Sequence, residues 1–245
     1  MSDLAVDDLQ RFLDDERRRG LSPGSRAAVL STLRPFYDHQ DLGRPNPARS
    51  IPLPSGERPM LPPYKPKEAA AILDGLGASR DIGGRFDLAV VTVLAETGIH
   101  RRELVRLLTA GLDLEVGTLQ VRSGLTGRRL VPLSDRTVEM LDAYLGEVRP
   151  VCPPSDLLFT NPRVSFDSAA YGSLEPDLAG SLVRRAGRRS GVSGPHTCQR
   201  WRVTATVELL RAGVAVDEVS RRLGSADLAT LERYRRHLDN GQPGS

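Results

Sequence analysis

The sequence predicts a mainly α-helical protein carrying one small antiparallel β-sheet. Three observations predict it. Apolar residues recur at three- and four-residue intervals in successive windows of the 245-residue chain. Two short windows alternate instead, and they flank a glycine-containing turn. A proline-rich stretch separates a short helical N-terminal segment from the rest.

Residues 4–19 place Leu4, Val6, Leu9, Phe12 and Leu13 at helical spacing, and Gly20 ends that helix. Ser22-Pro23 caps a second helix carrying Ala27, Val29, Leu30, Leu33, Phe36 and Tyr37. Pro35 is expected to bend that helix or to lie near its end. Prolines then recur from Pro45 to Pro66, which predicts an extended, semi-rigid segment. The expected organisation is a helical unit at 1–50, a linker at 51–66, a larger domain at 67–240 and a tail at 241–245. The larger domain opens with a helix over 67–76. Phe86 to Glu96 is apolar enough to be the central helix, and Gly98 breaks it. Glu103, Leu104, Leu107 and Leu108 continue as another helix. Residues 118–122 and 129–133 alternate and form the hairpin, with Pro132 near its edge. Helices are expected at 135–148, 177–190, 200–212, 215–223 and 227–238, a short strand at 156–160 and a loop at 161–176.

Composition narrows the function. No run of about 18 apolar residues is present, so no membrane span or membrane partner is expected. Met1-Ser2-Asp3-Leu4 does not start a secretory signal. Cys152 and Cys198 are the only cysteines, which fits a reducing cytoplasm rather than a disulfide framework. No metal-ligand cluster or glycine-rich phosphate loop appears, so no motif set of that kind competes with the segments described below. Residues 180–238 hold twelve arginines against five carboxylates, a local excess of seven positive charges that predicts a polyanion-binding surface. Lys65 and Lys67 are the only lysines; a bias toward arginine explains the cation type but not the clustering.

The stretch from Leu223 to Tyr234 sets one tyrosine on a terminal helix, followed by Arg235, Arg236 and His237. Taken alone, such a tyrosine is a packing residue beside a solvated basic edge. Flanked by guanidinium groups, it also suits a phosphodiester, since arginines bind phosphate and the phenol oxygen can attack it.

Four segments in order decide between these readings. Thr97-Gly98-Ile99-His100-Arg101-Arg102-Glu103-Leu104 resembles the TGxRxxEL segment of the tyrosine recombinases, the phage integrase family. Residues 124–133 resemble that family's KGxKxRxVPL hairpin. Gln199 to Gly213 resembles HxLRHT…LLxxG, and Leu223 to Tyr234 resembles LGHssixtTxxY, where the tyrosine is the nucleophile. In the N-terminal part, residues 20–25, 33–37 and 46–48 look like the second half of the family's helical core-binding domain, whose first helices are expected to be missing. The resemblance therefore implies a tyrosine-recombinase catalytic domain at 67–240 behind a truncated SAM-like DNA-binding domain.

The chemistry implied is phosphoryl transfer without a cofactor or metal, through a 3′-phosphotyrosyl link and a free 5′-hydroxyl. Two arginines hold the charge that gathers on the phosphate, and a lysine and histidines move protons. Carried over position by position, the nucleophile is Tyr234 and the second arginine is Arg202. The first arginine position holds His100, the lysine position Gly124, the HxLR histidine position Gln199, the next histidine position Val203 and the last histidine position Ser225. A second register, with His196 as the HxLR histidine, sets Gln199 at the arginine position and requires an insertion before Leu209. Arg101 or Arg102 is expected not to replace the arginine missing at 100, because one helical step turns a side chain by about 100°. Arg128 or Arg129 supplies charge at the hairpin but not a transferable proton. Trp201 is expected to pack in the core.

The expected function is duplex DNA binding with a degenerate active site and little or no strand exchange. DNA contacts are expected from Arg101, Arg102, Arg128, Arg129, Arg184, Arg185, Arg200, Arg235 and Arg236. The resemblance implies assembly on DNA as a homo-oligomer or with a partner recombinase, although little chain follows Tyr234. A working recombinase using Tyr234 and a helical DNA-binding regulator are the alternatives left open.

Overall fold

The leucine spacing of the first residues becomes α1 (Val6–Arg18), whose Leu9 and Leu13 are buried. In a computed structural model the described residues are 6–40, 45–54, 60–123, 127–163, 174–224 and 227–239. The chain divides into two units, Met1–Met60 and Leu61–Ser245.

In the first unit, α1 packs with α2 (Pro23–His39) and α3 (Pro47–Ser50) around Leu9, Leu13, Leu30, Ala48 and Ile51. Ser22 caps α2 by accepting a hydrogen bond from the Ser25 N–H at 3.1 Å. Pro35 lies inside α2, which runs on to His39. Arg34 donates to the carbonyls of Ala48 (3.1 Å) and Ile51 (2.9 Å). The start of the proline-rich stretch is thereby folded into this unit.

The second unit contains α4 (Pro66–Gly77), α5 (Ile82–Thr97), α6 (Arg101–Leu104), α7 (Asp135–Glu147), α8 (Pro176–Arg189), α9 (Cys198–Arg211), α10 (Val216–Leu223) and α11 (Leu228–Asp239). Its centre is α5, as the apolar run predicts: Phe86, Ala89, Val90, Val91, Val93 and Leu94 are fully buried. That helix packs against α4, α7, α8 and α9. Asp87, buried on the same helix, is matched by Arg163 (2.7 Å) and Arg185 (3.0 Å).

The hairpin forms between β2 (Thr118–Ser123) and β3 (Gly127–Pro132), antiparallel, with Leu119 opposite Val131 and Arg122 opposite Arg128. A two-residue strand, β1 (Leu112–Asp113), joins β2 on its other side and extends the hairpin to a three-stranded sheet. The helix expected through Leu108 covers only four residues. Beyond it the backbone finds other partners: Thr109 N–H donates to the Asp156 carbonyl (2.9 Å), and Leu158 N–H donates to that of Leu107 (2.8 Å). The strand expected at 156–160 is accordingly one bridge, Leu108 with Leu157. Most of the loop expected at 161–176 lies outside the described residues, as does the tail.

The last residues of the expected linker belong to this unit's core. Tyr64 is buried beside Trp201, with ring centroids 4.5 Å apart. Its N–H donates to Thr204 Oγ1 (2.9 Å), and Arg200 stacks on its ring at 3.9 Å. The burial of Trp201 is as expected. Among the described residues no helix is long and apolar enough to cross a membrane, and no group of side chains could hold a metal ion.

Candidate active site

The site begins where α5 stops. Gly98 closes that helix at φ +58°, a left-handed conformation open to glycine at little cost. A Cβ there would meet Leu223 Cδ2 at 2.8 Å and Ala205 Cβ at 2.9 Å, so the missing side chain also lets the turn sit against α9 and α10. The Gly98 carbonyl accepts a 2.7 Å hydrogen bond from Arg202 Nη1, which aims that guanidinium from α9. Burial pulls the Arg202 pKa down, with Glu103 opposing the shift; arginine starts so high that it stays charged.

His100 is the N-cap of α6. Its N–H donates to Glu103 (2.9 Å) and its Nδ1 accepts from the Arg102 N–H (3.2 Å). With Nδ1 accepting, the ring proton of the neutral imidazole lies on Nε2. Burial, and then the nearby Arg202, push the His100 pKa below its ordinary value, so the ring is neutral at pH 7. Glu103 is fixed from behind by Arg129 of β3, which grips its two carboxylate oxygens at 2.7 and 2.9 Å. The same guanidinium donates to the carbonyls of Arg222 (2.8 Å) and Leu223 (3.1 Å) at the end of α10. One buried cation thus ties the hairpin, the His100 turn and the helix before Tyr234 together.

These turns enclose a cavity of about 190 Å³ lined by Ile99, His100, Arg101, Gly180, Arg184, Thr197, Cys198, Gln199 and Arg202. The N-terminus of α9 contributes Cys198 and Gln199, so its unpaired N–H groups add to a positive potential. Three guanidinium groups, an imidazole N–H and an amide can together hold an anion with several oxygens. Only one of these side chains, His100, titrates near neutrality.

Tyr234 does not appear among the described residues lining this cavity. It is buried on α11, and its hydroxyl donates to the Leu61 carbonyl at 3.3 Å. Burial raises its pKa, with Arg233 and the Leu61 hydrogen bond opposing, so the phenol keeps its proton at neutral pH.

The cavity gathers His100, Gln199 and Arg202, three positions of the preferred register. In the second register His196 would have to reach it. Instead His196 is buried away from it, bonded to Tyr64 Oη (3.1 Å) and the Val192 carbonyl (2.9 Å). Gly124 and Ser225, at the lysine and last histidine positions, lie outside the described residues.

Three arginines expected on DNA are committed inside the unit. Arg129 is buried as described. Arg200 is buried on Tyr64, Glu68 (3.1 Å) and the carbonyls of Pro62 and Ser193. Arg185 pairs with Asp87. Arg102, Arg128, Arg184, Arg235 and Arg236 are exposed, and Arg101 is partly so. The expectation that Arg101 points away from the site is corrected. The 100° step applies between two helical residues, whereas His100 is the extended cap (φ −71°, ψ 144°), so both side chains line the cavity. Thr197, Cys198 and Gly180 were not singled out from the sequence; only the N-cap pattern Thr197-Cys198 could have flagged them.

Residues 66–240 match the profile of the phage integrase family. Over 241 residues the chain is 28% identical to the tyrosine recombinase XerC of Pseudomonas syringae pv. syringae (strain B728a), covering 97% of this chain and 77% of that protein. Two solved structures share the fold. One is the XerH site-specific recombinase bound to palindromic difH substrate in a post-cleavage complex, with TM-score 0.74 and 21% identity over 97% of this chain and 70% of that one. The other is a lambda integrase(75–356) dimer bound to a COC′ core site, with TM-score 0.73 and 16% identity over 100% of this chain and 83% of that one.

Proposed function

Because this chain belongs to the phage integrase family of tyrosine recombinases, we propose that it binds duplex DNA and seats a backbone phosphate in the Arg202 cavity, with strand cleavage impaired or absent. The observation that carries this is the separation of charge from proton transfer around the cavity. Arg202 remains as a phosphate ligand. The positions that would move protons are substituted: the histidine positions hold Gln199, Val203 and Ser225, and the lysine position holds Gly124, while His100, at the first arginine position, is a neutral N–H donor.

Cleavage requires removing a proton from Tyr234 and giving one to the departing 5′-oxygen. The phenol is held on the Leu61 carbonyl with a raised pKa. Arginine gives up its proton too reluctantly to act as the acid. The loss of one preorganised donor at a developing oxyanion costs about 3–4 kcal/mol, and the loss of the acid adds to it. DNA binding is supported by the excess of arginine over residues 180–238 and by the DNA-bound state of the two similar structures. The lambda integrase dimer also supports assembly of more than one copy on DNA.

The test begins with duplexes selected by binding from a random pool, then nicked to trap a covalent intermediate. The expected outcome is salt-sensitive binding with no protein–DNA adduct on denaturing gels. An adduct that disappears in Tyr234→Phe would establish a working recombinase instead. No binding at low salt would overturn DNA recognition itself.

A further inference from the structure

Position 100 offers a phosphate only one neutral N–H, and Arg202 already gives one nitrogen to the Gly98 carbonyl. Yet the cavity has two more guanidinium groups on its wall, from different elements. Arg101 rises from α6 and Arg184 from α8, and they meet over Gly180. A Cβ built on that glycine would lie 3.5 Å from Arg184 Nη1 and 3.8 Å from Arg101 Nη1, so the two nitrogens approach a single point. Gly180 leaves that point open.

Neither group is fully engaged by a buried carboxylate. Arg101 Nη1 pairs with Asp177 at 3.1 Å, and the Asp177 side chain is 92% exposed; such a surface pair is weak and exchangeable. Arg184 donates to the neutral Ser181 hydroxyl at 2.8 Å. Glu103, the nearest buried carboxylate on this turn, is turned onto Arg129. The described cavity lining therefore carries three cations and no carboxylate. Such a cluster is self-repelling unless a multi-oxygen anion enters it.

We infer that Arg101 and Arg184 together form the second guanidinium arm for a DNA phosphate, beside Arg202 in the same cavity lining and in place of the arginine absent at position 100. This inference rests on the proposed seating of DNA phosphate in the cavity. Two planar forks from α6 and α8 reach the non-bridging oxygens that a single arginine at 100 would otherwise take.

The test is fluorescence anisotropy of a labelled random-sequence duplex across a salt series, with the full chain. Arg101→Gln and Arg184→Gln are each expected to weaken binding about tenfold and to lower the slope of log K against log salt by about one. Arg101→Lys and Arg184→Lys are expected to restore the slope, because the charge returns, but only part of the affinity, because the fork does not. Arg136→Gln, at an exposed arginine of α7 outside both the 180–238 cluster and the cavity lining, is expected to leave both unchanged. Unfolding curves for each variant exclude loss of fold. If the Arg101 and Arg184 variants match the parent while Arg202→Lys weakens binding, this inference fails and the proposed seating stands. If Arg202→Lys is also silent, both fail.

Discussion

Replacing Arg129 with methionine is expected to be among the most damaging single changes near the site. The guanidinium makes two hydrogen bonds to the Glu103 carboxylate and two to the carbonyls of Arg222 and Leu223, all between 2.7 and 3.1 Å. Both partners of the ion pair are about 90% or more buried. Methionine fills similar volume, so the loss is electrostatic rather than a cavity. The dominant cost is a buried carboxylate left without its cation, about 3–5 kcal/mol. With a urea m-value of about 2 kcal/mol per molar, the midpoint of unfolding should fall by about 2 M. The double variant Arg129→Met, Glu103→Gln separates causes. Glutamine keeps an oxygen to accept the His100 N–H but removes the stranded charge, so more than half of the loss should return. A single variant costing under about 1 kcal/mol, or a double variant less stable than the single, would refute this account of the pair.

Three further outcomes are expected. Burial and Arg202 depress the His100 pKa below 6.5, so below pH 6.5 the unfolded chain takes up more protons than the folded one. Stability contributed by this group is complete above pH 6.5 and declines as pH falls toward the folded value. His100→Asn keeps an N-cap acceptor and should flatten that part of the profile of urea midpoint between pH 7.5 and 5.5; equal slopes in both proteins would count against it. Gly98→Ala should cost about 2–4 kcal/mol, from left-handed strain together with contacts under 3 Å on Leu223 and Ala205, and thermal unfolding reads it. Arg122 and Arg128 face one another across the hairpin on its exposed side, so Arg128→Gln should gain up to about 0.5 kcal/mol of stability while lowering the salt slope of duplex binding by about one; unchanged binding would remove the hairpin from the DNA surface.

Much of the fold was legible because local signals and packing agree. The apolar run 86–96 predicts α5, Gly98 its end, and the alternation at 118–122 and 129–133 the hairpin. The HxLR spacing set by Leu209–Gly213 gives the register that brings Gln199 and Arg202 to one cavity with His100. Other features depend on partners far along the chain. Helix α6 is short because residues 107–109 pair with 156–158, a pairing that no local pattern announces. Tyr64 reads as linker because it sits among prolines, and only Trp201, Arg200 and Thr204 make it core. Arg129 alternates with Leu130 as an outward residue of a two-sided strand would. Its burial requires Glu103 and the end of α10, which lie 26 and 93 or more residues away. Charge counting cannot separate such an arginine from an exposed one.

The same distinction bears on what the substitutions do under the proposed reading. Holding a phosphate depends on positive charge within a few ångströms and tolerates a change in which element supplies it. Arg101 and Arg184 can do from α6 and α8 what a residue at 100 would do, because a diester anion has oxygens on several sides. Moving a proton tolerates no such change. It needs a group of suitable pKa at one atom, and an arginine elsewhere on the wall is no substitute. Under the proposed reading, a chain with Gln199 at a histidine position and Gly124 at the lysine position, but with arginines gathered around the cavity, keeps the first capacity and loses most of the second. Tyr234, protonated and bonded to Leu61 outside the described lining, also adds a buried face to α11 and a hydrogen bond to the Leu61–Tyr64 segment, a packing role that does not depend on strand cleavage.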